Sequence, residues 1–176
     1  NSSYSKILDF NQDAKNVSSY FSGTISFNDF DYSGAEKFFD NLDDSENANE
    51  KFSSMFIQSL LNLEKYNEAY FYSKKLEKKK LSNFESNLVQ GLFEFKNKNY
   101  TKAKSYFDKL EPTFENQLIF NPLKTSLIIW SDISNSNNRQ SIDLIKSMSS
   151  DYGSFKFVQE VFAHCYFDTP DTEKEF

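Results

Sequence analysis

His164 and Cys165 stand side by side near the end of the 176-residue chain, and each is the only residue of its type. A histidine beside a thiol is the raw material of a cysteine nucleophile or of a mixed metal site. Both readings fail on geometry. Adjacent helical residues point about 100° apart, no second histidine exists, and no Asp or Asn stands at a spacing that would orient the ring. A surface or interface histidine is what remains. One cysteine allows neither an intrachain disulfide nor a thiolate cage, so no metal and no cofactor are expected. The sequence holds no glycine-rich phosphate loop, no HExxH, no GxSxG and no carboxylate pair that rises above an ordinary helix surface. It therefore reads as a protein without catalytic activity.

Charge is the other source of chemistry. The net charge is −6, which removes the diffuse basic footprint of a nucleic-acid binder. Its distribution is uneven: residues 1–50 carry three Lys against ten acidic residues, 51–110 carry twelve against six, and 111–176 carry five basic against ten acidic. The cluster KKLEKKK (74–80) supplies most of this basic waist. Lysines at a helix C-terminus complement its dipole, so a solvated helix end is the plain reading, and a dock for an acidic partner or acidic lipid is the alternative. Without arginine or interleaved aromatics the cluster does not suit nucleic acid. The acidic stretch DNLDDSENANE (40–50) reads as a polar turn between helices.

These groups need a scaffold, and composition points to helices. Gly at 4 and Pro at 3 are too few for a β-sandwich or barrel, which needs a turn residue every 8 to 12 positions. No run approaches the roughly 18 apolar residues of a transmembrane helix. A chain that begins at Asn1, without an initiator Met or a hydrophobic leader, reads as processed or truncated.

Self-comparison then gives the organisation. DYSGAEKFFDNL (31–42), KYNEAYFYSKKL (65–76) and NYTKAKSYFDKL (99–110) align at steps of 34 residues. Tyr32, Tyr66 and Tyr100 share one column, Ala35, Ala69 and Ala103 a second, and Leu42, Leu76 and Leu110 a third. Gly23 and Gly91 share a column with Ile57; Phe39 and Phe107 share one with Ser73. A unit of this length is a helix A, a short turn and an antiparallel helix B. Small residues at position 8 of helix A and position 20 of helix B let the backbones approach. Ile57 breaks that rule, and repeat 2 is expected to splay there. The repeats run 16–49, 50–83 and 84–117. A fourth, near 122–151, follows an insertion in EPTFENQLIFNP, which Pro112 and Pro122 bracket as a loop, although Leu118–Phe120 offer an early helix start. Ser141, Ile129, Ile145 and Met148 take its position-20, 8, 24 and 27 slots. A partial fifth covers 154–176, with a helix A at 154–167 and a turn with the first residues of a helix B in DTPDTEKEF. The array so read ends inside a repeat, an expectation that the natural chain continues. Residues 1–13 are a tail or a short helix ahead of the repeat domain 14–176.

These columns resemble those of the tetratricopeptide repeat family over residues 16 to about 150. More narrowly, the run from SYFSGTISFNDFDYSGAEKFF to NPLKTSLIIW is similar to bacterial tetratricopeptide proteins of unassigned role, many carrying an export signal, which leans the location towards the exported or periplasmic side. The resemblance implies an all-α, right-handed superhelical solenoid of about four helix pairs plus a partial fifth, with the A helices lining a concave wall that holds peptides. The wall residues are Tyr20, Thr24, Phe27, Gln58, Leu61, Leu88, Leu92, Phe95, Trp130 and Ile133. Slots that would clamp a C-terminal carboxylate hold Tyr20, Thr24, Met55, Glu85 and Val89, so no such clamp is built. An apolar wall suits a peptide or amphipathic helix instead. Trp130 is the strongest anchor candidate, and its plain reading is packing on helix 5A. The expected role is a protein-interaction scaffold. The alternatives are a structural subunit whose wall is filled by its own C-terminal part, or the repeat portion of a larger enzyme or envelope protein. The partner's identity and the oligomeric state stay open.

Overall fold

The computed structural model of the chain describes residues 2–42, 50–111, 117–136 and 142–167, of which 2–13 and 136 are described by backbone alone. Among these residues the structure is all-helical. The elements are α1 (Ser2–Asn28), α2 (Tyr32–Asp40), α3 (Glu50–Asn62), α4 (Tyr66–Lys78), α5 (Phe84–Lys96), α6 (Tyr100–Phe107), α7 (Gln117–Ser136), α8 (Ile142–Lys146) and α9 (Ser154–Phe167), with a short 3-10 turn at Ser150–Tyr152. The acidic stretch 43–49, Pro112 with the rest of 112–116, Ser141, and the residues after Phe167 lie outside the described residues.

The 34-residue period is written into the backbone. Phe30, Glu64 and Lys98 all have positive φ, at 61°, 59° and 63°. At each the chain closes a helix with the same pair of bonds: Asp31, Lys65 and Asn99 donate back to the carbonyls of Ser26, Leu60 and Glu94, and the residue before each donates to Phe27, Leu61 and Phe95. This is a Schellman closure, whose left-handed residue is usually glycine. The next helices then start at Tyr32, Tyr66 and Tyr100. The tyrosine columns gain a purpose here. Tyr32 meets Phe27 edge to face at 5.8 Å and Tyr100 meets Phe95 at 5.2 Å, so an aromatic on the first helix is pinned across the turn to the first residue of the second.

Within each pair the helices fold back on one another and size-matched residues meet. Ala35, Ala69 and Ala103 are wholly buried. A Cβ on Gly23 would come within 2.4 Å of the Phe39 ring, and one on Gly91 within 2.3 Å of the Phe107 ring. Only glycine fits under those phenylalanines. In the second pair the sizes are exchanged: Ile57 stands where the others have glycine and Ser73 where they have phenylalanine, and both are fully buried. Ser73 spends its hydroxyl on the Ala69 carbonyl at 2.7 Å. The larger side chain of this column is on the first helix here and on the second in the other two pairs.

Packing divides the chain into two compact units, residues 1–89 and 90–176, with the boundary inside α5. The first unit is built on rings. Phe39 lies 5.3 Å from Phe52, and Phe56 lies 4.8 Å from Tyr72, among Ala35, Leu42, Ile57, Leu60, Ala69 and Leu76. The second has an aliphatic cluster of Ile129, Ile133, Ile142, Ile145, Met148 and Ala163. Two of its devices replace local capping. Lys124 donates to the Asp108 and Leu110 carbonyls past the end of α6, and Lys156 to the carbonyls of Lys146, the last residue of α8, and of Met148 beyond it. Each lysine thereby satisfies carbonyls that a helix end leaves open.

Two boundaries differ from the sequence reading. Residues 2–13 continue into α1 without a break. Pro122 does not bound a loop: α7 starts at Gln117 and carries the proline inside it. The ring removes a bond to the Leu118 carbonyl, but Leu118 is 91% exposed, so water can take the bond instead.

Candidate interaction surface

The wall residues named from sequence lie on α1, α3, α5 and α7, and the structure treats them unequally. In the first unit Tyr20, Phe27 and Leu61 are half-buried against the edge of the core. Thr24 turns its hydroxyl back to the Tyr20 carbonyl at 2.8 Å, and Leu88 is half-buried. Gln58 is not a free groove amide. With Ser54 one turn earlier, it donates to one oxygen of Glu85, at 3.1 Å and 2.6 Å respectively.

In the second unit Leu92 is the open member, 46% exposed, while Phe95 is held by Tyr100. Ile133 has no exposed surface and belongs to the aliphatic core, so it cannot line a groove. The cause is the proximity of α8 and α9, whose Ile142, Ile145 and Ala163 join it in that cluster. Trp130 is half-buried, its indole N–H donating to Gln159 Oε1 at 2.7 Å and its ring standing edge-on to Tyr166 at 5.9 Å. It packs on α9. His164, expected at a surface or an interface, is buried at 7% exposure, whereas Cys165 beside it is exposed. Among the described residues no group of His, Cys, Asp and Glu could hold a metal ion, and no helix is long and apolar enough to cross a membrane.

Sequence reasoning missed a recurrent polar clamp. Ser54 and Gln58 on α3 converge on Glu85 of α5; Ser126 and Trp130 on α7 converge on Gln159 of α9, with Ser126 at 2.9 Å. In each case two donors four residues apart meet one acceptor oxygen on a later helix, 27 and 31 residues on in the first clamp and 29 and 33 in the second. The signal was present as an i, i+4 donor pair with an acceptor nearly one repeat later. The two clamps are not spaced alike. Gln159 lies two residues further along from its donors than Glu85 does from Ser54 and Gln58, and Ala163, wholly buried, takes the small-residue slot of α9.

A concavity lies between α2 and α4. It encloses about 310 Å³ over Phe56, Leu60 and Tyr72, with Glu36, Asp40 and Glu68 at its edge. Lys65 bonds Glu36 at 2.5 Å. The Glu36 hydrogen bond, followed by the attraction of Glu36, Glu68 and Asp40, holds the Lys65 ammonium above its ordinary pKa of 10.5 against some desolvation. Its contribution to stability is therefore present below that value and is lost as pH rises through the raised one.

Comparison with protein-family models, with curated proteins and with solved structures found no match.

Proposed function

We propose that the chain is a tetratricopeptide-like scaffold: its hairpins stack as a right-handed solenoid, and the A-helix wall holds an apolar peptide or amphipathic helix. The observation that carries this reading is the 34-residue recurrence of the Schellman closure, the turn tyrosine and the buried alanine in three successive hairpins. A hairpin of this kind cannot bury its apolar faces alone, and stacking is what covers them. On the wall, Leu61, Leu88 and Leu92 keep apolar surface open, whereas the polar groups are consumed by the clamps. What is left to offer a ligand is apolar contact. That favours a helix seated by alternate side chains over a charged peptide end.

The test is titration of isotope-labelled protein with a panel of amphipathic helical peptides, mapping shifted amides. Binding along this wall predicts shifts on α3 and α5 and at least a tenfold loss of affinity, about 1.4 kcal/mol, in Leu61→Glu or Leu92→Glu with unchanged melting. Shifts confined to α2 and α4, or affinities indifferent to both substitutions, would remove the proposal.

A further inference from the structure

The concavity between α2 and α4 has a floor and a rim of opposite character. Its floor is Phe56 and Leu60 of α3 with Tyr72 of α4, all buried. Tyr72 spends its hydroxyl on Ser53 at 3.3 Å, which leaves its ring to the floor. The rim carries carboxylates on both sides: Glu36 and Asp40, one helical turn apart on α2, and Glu68 on α4. Phe71, three residues beyond Glu68, adds an aromatic ring that is 69% exposed. The cations nearby are Lys65 and Lys75. Lys65 bonds Glu36, whereas Asp40 and Glu68 attract it by charge without bonding it. Three carboxylates against two ammonium groups leave the rim negative. The volume, about 310 Å³, is at the small end for a ligand site and suits one long side chain better than a helix.

We infer that this concavity receives an arginine side chain of a partner protein, its stem on the Phe56 and Leu60 floor and its guanidinium among the carboxylates of α2 and α4. An apolar floor under a negative rim calls for an occupant that is apolar along its length and cationic at its tip. Lysine and arginine are built that way: their stems cover apolar surface while the charged head stays among polar groups. Arginine is the better fit of the two. Its planar fork presents five donors, enough to serve carboxylates on two helices at once, and it stacks on an aromatic ring such as Phe71. An ammonium is a point charge, and Lys65 already supplies one to Glu36. The surroundings act in the same direction, because residues 1–50 carry three Lys against ten acidic residues and attract a basic partner. This inference concerns α2 and α4 and does not require a ligand on the A-helix wall, so its failure leaves that reading untouched.

The probe is N-acetyl-arginine amide, titrated into the isotope-labelled full chain beside the matching lysine and citrulline amides. Amide shifts on α2 and α4 should saturate with a Kd of about 1 mM, the range for a ligand of this size. Citrulline keeps the shape without the charge and should bind at least about tenfold more weakly; lysine should lose about threefold, the share of ring stacking. The double variant Asp40→Asn with Glu68→Gln should weaken arginine about tenfold, and Phe71→Ala about threefold. All three side chains are exposed, so melting should not change. Asp29→Asn removes the same charge from an exposed position outside the concavity and should leave binding as it was. The inference is overturned if citrulline binds as well as arginine, or if Asp29→Asn weakens binding as much as the rim variants do, which would mean diffuse attraction to an acidic chain. Free arginine binding tighter than the blocked amide would equally overturn it, by assigning the concavity to the amino acid itself. So would a dimer of the free chain that is lost both in the rim variant and in Arg139→Gln, which replaces the chain's single arginine and would assign the concavity to a second copy.

Discussion

The clamp in residues 1–89 closes on a carboxylate, and the clamp in residues 90–176 closes on an amide. Their geometry is otherwise alike: two donors one helical turn apart, one acceptor oxygen, bonds between 2.6 and 3.1 Å. Their surroundings differ. Ser54, Gln58 and Glu85 are only half-buried, and water can solvate the part of the carboxylate that the clamp leaves open. Ser126 and Gln159 are both buried. A charge there would lose its hydration without a cation to replace it, whereas a neutral amide accepts the same two bonds at much lower cost. The contact between successive first helices is set by spacing, and its chemistry is tuned to local exposure.

The largest effects should come from the size-matched column, which differs between hairpins in the same compensated way. Gly91→Ile forces a side chain into the Phe107 ring and should cost about 3 kcal/mol, at the top of the range for overpacking. Phe107→Ser should cost about 3 to 4 kcal/mol through the cavity it leaves. Denaturant unfolding of each variant checks both. Next come the clamps. Gln159→Leu leaves the Ser126 hydroxyl and the Trp130 indole N–H without an acceptor and should cost about 2 kcal/mol. It should also alter Trp130 emission. Glu85→Leu should cost about 1 kcal/mol, because water can reach the abandoned donors; equal losses at the two sites would break the contrast drawn above.

Smaller effects are expected in the turns. Glu64→Gly and Lys98→Gly place the favoured residue at a left-handed position and should each stabilise by about 0.5 to 1 kcal/mol, read from thermal melts. A destabilisation would mean that those side chains carry contacts of their own. The smallest concerns Lys65. In Lys65→Met the extra loss of stability as pH rises beyond about 10.5 should vanish, because the raised ammonium pKa that produces it is gone.

Much of the hairpin repeat was legible in advance because the signals are backbone requirements with few solutions. Ala35, Ala69 and Ala103 sit where two helices touch, and Tyr32, Tyr66 and Tyr100 begin the returning helix, so their spacing survives in the sequence. Ile57 breaks its own column, but a column viewed alone hides its partner: sixteen residues later Ser73 stands where the other pairs have phenylalanine, and both are fully buried. Ile133 was placed on a wall by position within the repeat, yet exposure there depends on what α8 and α9 do, and their Ile142, Ile145 and Ala163 cover it. His164 was judged by its neighbour in sequence, whereas its burial follows from which side of α9 meets the aliphatic core. Gln58 and Glu85 were read as separate positions, since an i, i+4 donor pair points to no particular acceptor until the later helix is in place.

The most direct test of the central claim, that successive hairpins share one close contact filled by complementary sizes, is the double variant Gly91→Ile with Phe107→Ser. It transplants the Ile57 and Ser73 arrangement into the third hairpin. Complementary filling predicts that the pair recovers at least about 2 kcal/mol relative to the sum of the two single losses in a double-mutant cycle. Additive losses would show that residues 91 and 107 do not share that contact, and would contradict the repeat as described.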